Sequence, residues 1–131
     1  MLTRRAMIAT GLSFTATAAL AQKSGTASVI FTPEVFEAAQ AAGKPIMIEI
    51  TAPWCPVCKV QGGIIKTLMN KPEFKNVQIM KVDFDSEKDA LKTFKVSQQS
   101  TLIAFKGKTE INRSTGETAP GAIESLFKAL I

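Results

Sequence analysis

Apolar positions recur along the chain with two periods, and the changes of period mark its elements. Ile46-Met47-Ile48-Glu49-Ile50-Thr51 is a nearly continuous apolar run, the pattern of a central strand covered on both faces. Ser28 to Phe31 reads as a short first strand and Val77 to Phe84 as an alternating one. Thr101 to Phe105 and Thr109 to Ser114 read as two strands joined by a Lys106-Gly107-Lys108 turn. Between them, apolar residues three and four apart predict helices. Val35, Phe36 and Ala39 share a face behind a Thr32 cap and Pro33, and Gly43 ends that helix. A second helix opens within Pro53 to Cys58 and carries Val60, Ile64, Ile65, Leu68 and Met69 as far as Asn70-Lys71-Pro72. Ser86 caps a third helix bearing Ala90, Leu91 and Phe94. Thr118 caps a last one, with Pro120 in its first turn and Ile123, Phe127 and Leu130 inward. Gly62-Gly63 falls inside the second helix, where each glycine costs about 1 kcal/mol relative to alanine. The pair therefore marks a kink or a close packing contact.

The order is strand, helix, strand, helix, strand, helix, strand, strand, helix: an α/β domain with a central mixed sheet flanked by helices on both faces. Helical crossovers imply parallel central strands, and the Gly107 hairpin implies an antiparallel edge. At 131 residues the chain holds one such domain, over residues 28–131, after a small, polar lead-in at 22–27. Residues 1–21 read as a cleavable export signal. Arg4 and Arg5 form its positive region, Ala6 to Leu20 its apolar region, and Ala19-Leu20-Ala21 its cleavage site. Thr3-Arg4-Arg5-Ala6-Met7-Ile8 is similar to a twin-arginine signal, so the route is either that one or general secretion. Both deliver the chain to the periplasm, where disulfides persist. The less favoured reading keeps the segment as an uncleaved membrane anchor.

Charge adds little. The formal net charge of +5 falls to +3 once Arg4 and Arg5 leave with the signal, and the lysines are scattered. No basic run or helix face points to nucleic acid. Cysteine and histidine usage adds more. There are two cysteines and no histidine, which excludes an imidazole base, a Cys–His hydrolase and His-ligated zinc. Redox chemistry, soft-metal capture or structural pairing remains for the cysteines.

Trp54-Cys55-Pro56-Val57-Cys58 follows a buried strand and opens a helix. A C-x-x-C pair there belongs to redox chemistry more than to metal binding. Free N–H groups and the helix dipole stabilise a thiolate at the helix start. Cys55 is thus expected to be the acidic, exposed nucleophile, and Cys58, one turn on and more buried, the resolving thiol. Trp54 is expected to shield the site from a partly exposed position. A static disulfide would gain little from closing so short a loop.

On these residues the chain resembles the thioredoxin superfamily over nearly all of Val29 to Ile131. The resemblance is carried by Ile46 through Cys55, by Lys81-Val82-Asp83 and by Ser100 through Gly107. Around Trp54 to Lys59 it looks most like the periplasmic C-terminal domain of the DsbD reductase and small periplasmic thioredoxin-like proteins. The resemblance implies the thioredoxin fold, no cofactor beyond a redox-active Cys55–Cys58 disulfide, and protein disulfides as substrates. It also implies that Glu49 occupies the position of a buried carboxylate that moves the Cys58 proton through a water, with Lys81 tuning it. Burial would raise the Glu49 pKa; the alternative is a carboxylate reaching solvent at the sheet end. Gln99, Ser100 and Thr101 fall at the family's substrate-binding loop, but Ser100 replaces a cis-proline. A non-proline cis bond costs about 3 kcal/mol, so a trans Gln99–Ser100 bond and a reshaped loop are expected, with the Ser100 hydroxyl free to donate to the Cys55 thiolate.

The resulting expectation is an extracytoplasmic thiol–disulfide oxidoreductase, acting as reductase or electron relay. It would be a monomer fed by a membrane thiol transporter resembling DsbD or CcdA. Pro56 and Val57 bring no charge or histidine between the cysteines, so nothing there stabilises the reduced form enough to make a strong oxidant. An oxidase or isomerase is the alternative enzyme. A Cu(I) module held by Cys55 and Cys58, less guarded without proline at position 100, is the alternative of another class.

Overall fold

The computed structural model describes residues 28–131; the segments read from sequence as an export signal (1–21) and a lead-in (22–27) lie outside the described residues. Strands β1 (Val29–Ile30), β2 (Pro45–Thr51), β3 (Gln78–Asp83), β4 (Thr101–Lys106) and β5 (Thr109–Thr115) form one sheet in the order β1-β3-β2-β4-β5. Helices α1 (Pro33–Ala41), α2 (Pro56–Met69), α3 (Lys88–Phe94) and α4 (Pro120–Lys128) cover it, with a short 3₁₀ turn at Pro72–Phe74. The sheet is mixed: β1, β3 and β2 run parallel, while β4 is antiparallel to both β2 and β5.

The orientation of β4 departs from the parallel arrangement that a helical connection suggested. Its cause is the shortness of α3, seven residues and roughly 10 Å long. The chain leaves the C-terminal end of β3 and turns over α3. It enters β4 at that same end, where Thr101 pairs with Ile50. Residues 98–100 therefore lie at the end of the sheet from which β2 hands the chain to the cysteine motif.

Two apolar layers follow from the alternation along β2 and β4. Ile46, Ile48, Ile50 and Ile103 point to α1 and α3, where Phe31, Phe36, Phe94 and Phe105 meet at ring-centroid distances of 5.2 to 5.9 Å. Met47, Leu102 and Ala104 point to α2 and α4, packing Ile65, Leu68, Phe74, Ile123 and Phe127. Glu49 shares the parity of Met47, so its carboxyl is delivered to the α2 face of the sheet.

Several caps differ from expectation. Thr32 does cap α1, its Oγ1 accepting from Val35 N–H at 3.2 Å. The N-cap of α3 is Glu87 and not Ser86, whose hydroxyl donates instead to Asp83 Oδ1 at 2.9 Å. The N-cap of α4 is Ala119 and not Thr118, because Glu117 Oε1 takes the N–H groups of both Thr118 and Ala119. Helix α2 begins at Pro56, within the expected Pro53-to-Cys58 span, with Cys55 as its N-cap. Val35 and Val60 lie on exposed helix faces rather than inward. Neither glycine of the Gly62-Gly63 pair breaks α2. A Cβ on Gly62 would sit 3.7 Å from Glu49 Oε1, whereas one on Gly63 would meet nothing within 4 Å. The close packing contact thus belongs to Gly62.

Candidate active site

Cys55 ends the Ala52-to-Cys55 turn in extended geometry, φ −88° and ψ 111°, which is what an N-cap requires. Its Sγ takes the role usually played by a Ser or Asp oxygen, accepting from Cys58 N–H at 3.1 Å. Pro56 follows at the first helical position, where its missing N–H costs nothing. One helical turn brings the two Cα atoms to 5.3 Å, and Cys55 and Cys58 are joined as a disulfide.

Both cysteines are buried, Cys55 at 1 % relative exposure and Cys58 at 4 %. The expected contrast between an exposed Cys55 and a buried Cys58 is absent in this oxidised chain. The pair packs as a small apolar cluster with Ala52, flanked by half-buried Val57 and Phe84. What distinguishes the two sulfurs is the N–H donor, which serves Cys55 alone. Trp54 stands beside them 56 % exposed, its Nε1 donating to Asp85 Oδ2 at 2.8 Å. Asp85 is itself held by a turn in which Asp83 Oδ1 accepts from the N–H groups of Asp85 and Ser86 at 2.9 and 2.8 Å. These bonds, led by those from Ser86, hold the Asp83 carboxyl below its ordinary range. The sequence reading missed this turn; Asp83-Phe84-Asp85-Ser86, with its Asx-turn residues directly after a strand, was its signal.

Glu49 is 2 % exposed, so the reading in which it reaches solvent is wrong. Its Oε2 has no hydrogen-bond partner. Burial pushes its carboxyl above the ordinary carboxylate range, and the exposed Lys81 opposes this without cancelling it. The two residues are register partners on β2 and β3, which puts their side chains on one face. Glu49 and Lys81 line a cavity of about 380 Å³ with Gly62, Lys66 and Asn70.

Among the described residues every peptide bond is trans, that between Gln99 and Ser100 included, as expected. Ser100 reaches this geometry at φ +56°, in the left-handed region. Its hydroxyl does not donate to Cys55: it donates to Gln99 O at 2.6 Å. Gln99 is half-buried, and Thr101 turns its Oγ1 back to Gln98 O at 2.9 Å. The Ser100 carbonyl accepts from Gly116 N–H and from Gln61 Nε2. Sequence reasoning passed over Gln61, although it interrupts the inward stripe of Cys58, Ile65 and Leu68.

Among the described residues no group of three or more His, Cys, Asp or Glu side chains is placed to hold a metal ion. No helix there is long and apolar enough to cross a membrane. The site holds a Cys55–Cys58 disulfide at the start of α2 and, on the sheet strand that leads to it, a buried carboxyl with a raised pKa.

The thioredoxin family model matches residues 27–129. The chain is 35 % identical to an H-type thioredoxin of Fagopyrum esculentum over 63 % of its own length and 70 % of that protein. It is 38 % identical to a protein disulfide-isomerase of Neurospora crassa over 71 % of its length, which is 26 % of that longer protein. Among solved structures it is similar to Trxlp from Edwardsiella tarda, at 40 % identity and a TM-score of 0.75, covering 77 % of this chain and 98 % of that one. With a cysteine disulfide at the start of α2 and a family match spanning the whole sheet, the chain belongs to the thioredoxin family and is a thiol–disulfide oxidoreductase.

Proposed function

We propose that this oxidoreductase works outside the cytoplasm as a reductase or electron relay. The Cys55 thiolate attacks one sulfur of a protein disulfide and expels the other as a thiolate, leaving a mixed disulfide. Cys58 then loses its proton to ionised Glu49 through a water and attacks Cys55 Sγ. The second substrate sulfur leaves as a thiolate. Two electrons have passed to the substrate, and the Cys55–Cys58 disulfide has formed. Resetting the cycle requires a dithiol donor, which we assign to a membrane thiol transporter resembling DsbD or CcdA.

The observation that carries the order of attack is the single N–H donor received by Cys55 Sγ, since a hydrogen bond to the charged form lowers a thiol pKa. The placement of Glu49 on the α2 face supports its role in resolution, and Lys81 in register with it supports tuning. Trp54, Pro56 and Val57 frame the pair, and Gln99, Ser100 and Thr101 form the loop that meets the substrate. The periplasmic reading rests on the segment 1–21 alone.

The direction is tested by the reduction potential of the Cys55–Cys58 couple at neutral pH. Nothing charged separates the cysteines, so a value nearer the roughly −270 mV of thioredoxin than the roughly −120 mV of DsbA is expected. A value at or above about −180 mV, the range of the disulfide isomerases, would replace the reductase with an oxidase or isomerase. Fractionation of host cells expressing the full chain tests the location, with recovery in the cytosol as the contrary result.

A further inference from the structure

Gln61 is fully buried on α2, one turn beyond Cys58, and thiol–disulfide exchange gives it no task. Its Nε2 donates to Ser100 O at 3.0 Å and to Glu117 O at 2.9 Å. Both acceptors are carbonyls, so the donating end of the amide must face them. Its Oε1 is thereby left buried with no partner. An apolar side chain of the same size would avoid that orphan acceptor, so packing alone does not account for an amide at this position.

Its two donors hold the loops at one end of the sheet. Ser100 precedes Thr101, which pairs with Ile50, so it adjoins the end of β2 where the chain departs toward Cys55. Ser100 keeps a trans bond and a left-handed φ of +56° with no proline ring to fix the backbone. Its carbonyl is fixed instead from two sides, by Gln61 and by Gly116 N–H at 2.9 Å, where Gly116 has a φ of +72°. Through Glu117 O the same amide reaches the loop that leads into α4. One side chain thus ties the helix that carries both cysteines to both neighbouring loops.

We propose that Gln61 is a positioning residue. It sets the Ser100 loop, and with it the fit of a polypeptide disulfide to Cys55, whereas a small disulfide lacking peptide flanks does not depend on it. The proposal rests on disulfide exchange at Cys55 and on residues 99–101 as a substrate contact.

The test compares wild type with Gln61→Met, which keeps the length and removes both donors. Dithiothreitol-driven reduction of insulin and of hydroxyethyl disulfide is measured. Hydrogen exchange of residues 98–101 and 116–118 is followed in parallel. The expected result is a roughly tenfold higher KM for insulin with kcat within about twofold. Hydroxyethyl disulfide kinetics stay unchanged, and exchange quickens in those two loops only. Equal losses on both substrates, loss on neither, or faster exchange across the whole fold would overturn it. Gln61→Asn retains the amide but shortens its reach. It decides by the same outcomes, at smaller amplitude, if the Met variant does not fold. A wild-type protein that reduces neither disulfide contradicts the enzymatic reading instead. The exchange data then judge the loop-holding role, with unchanged protection in Gln61→Met overturning it.

Discussion

Replacing Glu49 with glutamine removes the charge and keeps the shape, so the change isolates the cost of ionisation. The carboxyl is 2 % exposed and its Oε2 has no partner. Leaving a buried polar atom unsatisfied costs about 1–3 kcal/mol, and ionisation places charge on that atom. Lys81 works the other way, but it is exposed and makes no ion pair with Glu49 among the described bridges; such a cation offsets less than about 1 kcal/mol. The balance shifts ionisation to higher pH, in agreement with the upward direction of the Glu49 pKa and its first cause, burial. A group whose folded pKa is raised lends its full stability below the unfolded value of 4.5. That contribution is lost as pH rises through the folded pKa. Glu49→Gln should therefore equal the wild type at about pH 4 and exceed it by about 1–2 kcal/mol at pH 8. Urea unfolding of both proteins without reductant at the two pH values measures this. Asp83, whose pKa is shifted the opposite way, is common to both and cancels. A variant less stable by the same amount at both pH values, or one whose advantage grows toward acid, refutes the reasoning. The same substitution should slow breakdown of the mixed disulfide while sparing the first attack.

In the reduced protein, iodoacetamide at neutral pH should modify Cys55 well before Cys58, because only Cys55 Sγ receives an N–H donor; preferential labelling of Cys58, read by peptide mass, reverses the assignment. Ser100→Pro cannot keep a φ of +56°, since proline fixes φ near −65°, so the loop must rebuild, and a cis bond becomes accessible because it costs an X–Pro pair only about 1 kcal/mol. Insulin reduction should rise and any Cu(I) affinity should fall; no change in activity, metal affinity and thiol pKa makes Ser100 a neutral variant. Gly63→Ala meets no atom within 4 Å and should stabilise α2 by about 1 kcal/mol without moving the pH profile. Gly62→Ala sets a methyl 3.7 Å from Glu49 Oε1 and should also push the Glu49 titration upward; identical pH profiles for the two variants contradict the contact.

The elements with strong periodicity were legible in the sequence. The run Ile46 to Thr51 announced a doubly covered strand, and its single charged residue, Glu49, announced a buried carboxyl. The disulfide partners followed from where the cysteines fall, at the junction of that strand with a helix. The remainder depended on contacts between distant segments. Ser86 and Thr118 have good capping chemistry, but Asp83 and Glu117 reach the local hydrogen bonds first. The antiparallel entry of β4 depends on how far a seven-residue helix carries the chain, which periodicity does not encode. Ser100 was marked as unusual, yet the direction of its hydroxyl depends on a left-handed backbone that a serine rarely adopts. Burial of Cys55 involves Val57 and Phe84 packed against the Ala52, Cys55 and Cys58 cluster, and Phe84 comes from a distant segment just after β3.

The most direct test of the mechanism is the mixed disulfide itself. Reduced Cys58→Ser and Cys55→Ser proteins are each mixed with insulin, quenched with acid and weighed intact by mass spectrometry. Cys58→Ser should accumulate a covalent adduct through Cys55, because no second thiol remains to release it, while Cys55→Ser should accumulate little. Equal adducts on both variants, or adduct on Cys55→Ser alone, would contradict Cys55 as the attacking thiol.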